Sequence, residues 1–70
     1  MHKYEVDIYW GSEDELFIAE VPELAGGMAH GDSPSAALAN AQDAISLWLD
    51  TARELGREIP EPKGRLGQLV

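Results

Sequence analysis

Residues 33–56 read SPSAALANAQDAISLWLDTARELG, and this stretch decides the fold. Leu38, Ala41, Ile45, Trp48, Ala52 and Leu55 recur at spacings of three and four, which is one face of an α-helix. Ala37, Ala44 and Leu49 widen that stripe, and Asp43, Asp50 and Glu54 fall away from it. Ser33 is a natural N-cap, and Pro34 takes the first helical position, where its missing N–H costs nothing. Asp32 adds negative charge at the positive end of the helix dipole, and Arg53 and Arg57 complement the other end. Gly56 is a C-terminal stop. A helix over 34–55 spans roughly 33 Å at about 1.5 Å per residue, enough to lie diagonally across a small sheet. Trp48, on the stripe, is expected in the core against that sheet.

The chain before the helix supplies the sheet. Over residues 3–10, Tyr4, Val6, Ile8 and Trp10 alternate with Glu5, Asp7 and Tyr9, the period of a half-buried strand. Gly11-Ser12-Glu13-Asp14-Glu15 is a polar break, and Leu16 to Val21 is a second strand, so the two read as a hairpin. Pro22 lacks an N–H and ends it. Met28-Ala29-His30 between Gly27 and Gly31 reads as a short third strand, with Gly27 suited to a bulge or a close backbone approach. Three antiparallel strands are about the minimum for a sheet, and they need a helix packed on them. Beyond Gly56, Pro60 and Pro62 forbid helix. The tail either runs back along the sheet as a fourth, edge strand or stays off it. The expected class is α+β: a small antiparallel sheet with one long helix.

Seventy residues form one domain, 1–70, near the lower size limit for a self-sufficient core. The absence of cysteine excludes a disulfide scaffold and cysteine-based metal modules and fits a reducing, cytoplasmic setting. No apolar run approaches the roughly 20 residues of a membrane span. A small core with open strand edges points to self-association, as a dimer or tetramer. Charge is lopsided within the net −8: residues 1–50 hold ten acids against one base, a balance of −9, and residues 51–70 hold three acids and four bases, a balance of +1. Such a chain repels nucleic acid, so its expected partner is a basic protein rather than RNA or DNA.

The ordered set Phe17-Ile18-Ala19-Glu20-Val21-Pro22-Glu23-Leu24, Gly26, Gly31-Asp32-Ser33-Pro34, Ala37-Leu38, Asn40, Ala44-Ile45 and Pro60-Glu61-Pro62 resembles the HicB-like antitoxin family along essentially the whole chain. The resemblance implies a β-β-β-α-β unit similar to a partial RNase H fold. It also implies a protein antidote that inhibits HicA, a small basic RNA-cleaving toxin. Many members carry a second, C-terminal DNA-binding domain. This chain is expected to be a short, single-domain member without one. It departs from the family at Ala25-Gly26-Gly27, and at Ala36, where an acid would complete a capping box. The other reading is an orphan oligomeric module that uses the same surface for a different protein.

An RNase H-like outline raises the question of metal-dependent cleavage, with Asp7, Glu20 and Asp43 or Asp50 as carboxylates. Strand parity argues against it, because Asp7 points away from the face that the helix covers. His2 and His30 have no second ligand at metal-binding spacing, so neither metal nor cofactor is expected. His30 reads as a solvent-facing strand residue. The residues expected to meet a basic partner are the loop acids Glu13, Asp14 and Glu15, the strand acids Asp7 and Glu20, and Trp10 as an apolar anchor beside them. Tyr9, with Phe17 or Ile18 across the hairpin, adds an exposed apolar strip.

Overall fold

The computed structural model describes residues 3–62. Its element order is β1 (Asp7–Gly11), β2 (Leu16–Val21), β3 (Gly27–Gly31) and α1 (Pro34–Leu55). The strands form one antiparallel sheet in the order β1-β2-β3. The α+β class and the three-stranded meander are as the sequence predicts. Among the described residues no helix is long and apolar enough to cross a membrane.

Register follows from the two turns. Gly11 pairs with Leu16, so the loop is the four residues Ser12–Glu15, one fewer than the sequence suggests, with Glu15 in the left-handed region at φ 53°. β1 begins at Asp7 rather than Lys3. Its partner strand turns away at Pro22, and the last pair of that ladder is Asp7 with Glu20. The tail after the helix carries no strand over 57–62, and a fourth strand beyond that lies outside the described residues. Tail and N-terminus nevertheless meet: the Tyr4 hydroxyl donates to the Pro60 carbonyl, and Ile59 packs on the core beside it.

The helix is capped as its sequence demands. Ser33 Oγ accepts from Ala36 N at 3.1 Å, and Gly56, at φ 68°, donates to the carbonyls of the final turn. The buried face is rotated from the expected stripe. Ala37, Ala41, Ile45, Leu49 and Ala52 are buried, whereas Leu38 and Trp48 are only half-buried and Leu55 is exposed. Trp48 is therefore not a fully buried core residue. It edges the cluster, and its indole N–H donates to the Ala25 carbonyl at 2.9 Å, pinning the β2–β3 turn to the helix.

Side-chain size explains the rotation. In the first half of α1, Ala37 and Ala41 meet Ala19, with Val6, Phe17 and Ala29 packed alongside. Alanine against alanine lets helix and sheet approach closely. Gly31 makes that approach possible, since a Cβ there would lie 2.6 Å from the Ala37 nitrogen. In the second half, larger side chains fill the space: Tyr4, Val21, Leu24, Ile45 and Leu49 form the main cluster. The helix lies over β2 and β3 more than over β1. Tyr4 and Val6 are covered, but the far end of the same alternating run is not: Ile8 is 37% exposed and Trp10 52%.

Candidate functional site

The register sorts the sheet into two faces. Ile8, Ala19 and Ala29 stand abreast on the helix side, as do Trp10, Phe17 and Gly31. Asp7, Glu20 and Met28 stand abreast on the opposite, uncovered side, as do Tyr9, Ile18 and His30. This parity carries the candidate site. It brings Asp7 and Glu20 together as direct cross-strand neighbours and puts Tyr9 next to both. It does not bring Trp10 to them. Trp10 stands on the reverse of the hairpin, in edge-on contact with Phe17, with ring centroids 5.0 Å apart at 68°.

The open face is therefore both acidic and apolar. Tyr9 is exposed, and its hydroxyl donates a hydrogen bond to the Glu20 carboxylate. That bond, with some desolvation and the carboxylate's negative charge, raises the Tyr9 pKa above its ordinary value of 10.0. Beside this pair a shallow groove of about 520 Å³ crosses β2 and β3. Its apolar floor is Leu16, Ile18 and Met28, with His30 on β3 and Asp14 and Asn40 at its rim. His30 is exposed on the strand, as expected, and its backbone carbonyl accepts from Asn40 Nδ2 at 2.8 Å.

The three loop acids Glu13, Asp14 and Glu15 are all exposed at the hairpin end, and Asp14 reaches the groove. Asp14 thus stands beside the apolar floor of Leu16, Ile18 and Met28, on the face opposite Trp10. Within its own strand neither Met28 nor Leu16 carries a signal that marks a site. Pairing the strands in register would have aligned Met28 with Glu20 and Asp7.

The carboxylates weighed for metal chemistry lie on opposite sides of the molecule: Asp7 and Glu20 on the open face, Asp43 and Asp50 on the helix beyond the other. Among the described residues no three His, Asp or Glu side chains come close enough to share an ion.

Residues 4–69 match the sequence profile of the HicB-like antitoxin of bacterial toxin–antitoxin systems. The chain belongs to the HicB-like antitoxin family. The match takes in the whole sheet, the helix and the described tail, so the open acidic face is a face of the HicB-like unit itself. Neither a curated protein nor a solved structure matches the chain.

Proposed function

We propose that this HicB-like protein neutralises a small basic RNA-cleaving toxin of the HicA type by covering it with the open face of its sheet. The observation that carries this reading is the acidic, aromatic surface on that face: Asp7, Tyr9 and Glu20 side by side, with the Leu16, Ile18, Met28 groove next to them and Glu13, Asp14 and Glu15 at its end. A protein that grips RNA presents positive charge, so an acidic surface is steered to the same region that RNA would occupy. The apolar groove then supplies contact area once water is expelled. Trp10, on the reverse of the same hairpin, extends the surface around its tip. In this reading the protein acts in the cytoplasm, by occlusion rather than by catalysis.

The test is association with a basic HicA-type toxin, measured at low and moderate salt. Association is expected to slow as salt rises, because screening acts over a Debye length of about 8–10 Å. Reversing Glu13, Asp14 and Glu15 to lysine is expected to lower the association rate and flatten the salt dependence. Tyr9→Ser is expected to speed dissociation instead. Unchanged rates in both variants would remove this face from toxin binding.

A further inference from the structure

The open face holds one oxidisable sulfur at a place where its oxidation state matters. Met28 is the one methionine among the described residues, and the chain has no cysteine to compete for an oxidant. Its side chain is 53% exposed. It stands on β3 abreast of Glu20 and Asp7, and with Leu16 and Ile18 it makes the apolar floor of the open-face groove. It also borders a second hollow, of about 240 Å³, beside Glu20 and Pro22. A small oxidant therefore reaches the thioether from two sides, in the middle of the surface assigned above to the toxin.

The surroundings of the sulfur decide what an added oxygen does. A thioether is a flexible apolar filler and a weak acceptor, whereas a sulfoxide is polar and needs a hydrogen-bond donor. The side chains abreast of Met28 are the carboxylates of Glu20 and Asp7, which are acceptors themselves. The nearby Tyr9 hydroxyl already donates to Glu20. No donor therefore stands abreast of a sulfoxide at Met28, and its oxygen is served by water. A partner docked on the groove expels that water and leaves a polar group against an apolar floor. In the free protein the same oxygen is harmless. The core clusters lie on the helix side of the sheet and do not include Met28, so the fold does not depend on its oxidation state.

We propose that Met28 is a reversible oxidation site that loosens the toxin's hold when a peroxide converts its thioether to the sulfoxide. This inference rests on the toxin-binding reading of the open face and adds a means of regulating it. In the reaction a sulfur lone pair attacks one oxygen of hydrogen peroxide. An S–O bond forms and the O–O bond breaks. The departing hydroxide takes the proton from the transferred oxygen and leaves as water. The thioether loses two electrons and the peroxide gains them. Methionine sulfoxide reductases reverse the change, and an exposed strand position suits their access.

The experiment treats the full chain with hydrogen peroxide and locates the added oxygen by peptide mapping in a mass spectrometer. Met28 is expected to carry it, with the circular dichroism and the Tm unchanged. Binding of a basic HicA-type toxin is then compared before and after oxidation. The oxidised protein is expected to bind about tenfold more weakly or worse, through faster dissociation, and reductase treatment is expected to restore the original affinity. Met28→Leu keeps the apolar floor without the sulfur and is expected to bind the toxin and to ignore peroxide. Absence of oxygen at Met28 would overturn the proposal. So would undiminished binding by the oxidised protein, or a Met28→Leu variant that peroxide weakens as much as wild type. A reduced protein that does not bind the toxin at all overturns the toxin reading and this inference with it, whereas binding that oxidation leaves untouched overturns this inference alone.

Discussion

Gly31→Ala tests the closest contact between helix and sheet. An alanine Cβ at this position would lie 2.6 Å from the Ala37 nitrogen and 2.8 Å from the Ala36 carbonyl carbon, where ordinary contact begins at 3.4 Å. Those neighbours are backbone atoms of the first helical turns, so no side chain can swing aside. The helix start must retreat by about 0.8 Å, the difference between 3.4 and 2.6 Å. Ala37 and Ala41, fully buried against Ala19, then lose contact, and a gap of about 0.5–1 Å already forfeits a quarter to a half of the dispersion well. Overpacking of this kind costs about 1–3 kcal/mol. The lower chain entropy of unfolded alanine offsets about 0.4–1 kcal/mol of that. The net loss is about 1–2 kcal/mol, or roughly 5–15 °C in Tm at the 4–8 °C per kcal/mol of a domain this size. Thermal unfolding followed by circular dichroism measures it directly. A variant melting within about 2 °C of wild type would mean that helix and sheet are not in contact at Gly31, and the alanine-layer account of the fold would fail.

Three further outcomes follow from the packing and the open face. Ile45→Ala, which empties a fully buried site, is expected to cost about 2–5 kcal/mol in denaturant unfolding, more than Trp48→Ala at its half-buried edge position; the reverse order would refute the observed helix rotation. Ser33→Ala removes the N-cap acceptor of Ala36 N and is expected to cost about 1 kcal/mol by the same measurement. Tyr9, with its folded pKa above the unfolded 10.0, favours the folded state while neutral; that contribution is complete below the unfolded pKa and disappears as pH rises through the folded one. Ultraviolet titration is expected to show a late-ionising tyrosine that Glu20→Gln returns toward the ordinary range.

The elements were legible because each is written in local chemistry. Ser33, Pro34 and Gly56 bound the helix, Pro22 ends β2, and alternation marks the strands. What stayed hidden depends on relations between elements. A stripe centred on Leu38, Trp48 and Leu55 and one centred on Ala37, Ile45 and Leu49 differ by a rotation that periodicity alone does not resolve. The small residues Ala19, Ala29 and Gly31 across the interface select the second. The exposure of Trp10 likewise depends on where the helix crosses the sheet. For the site, the charged residues were visible one by one. Strand parity already turns Asp7 away from the helix, but standing it abreast of Glu20 and Met28 required the register that a four-residue loop imposes.

The bond from Tyr4 to Pro60, with Ile59 packed beneath it, joins positions separated by 56 residues along the chain. The described chain is in effect a closed ring, with a seam where its two ends touch. Sheet and helix, by contrast, are built from neighbours in sequence. The seam closes a loop of 56 residues and so carries a large loop-entropy cost. A ring of this kind tolerates being cut elsewhere. A circular permutant that links the ends by a short glycine-rich bridge and opens between Ser12 and Glu15 keeps every core contact. It would also place new termini beside the acidic hairpin end, a natural point for attaching a probe or a tethered partner.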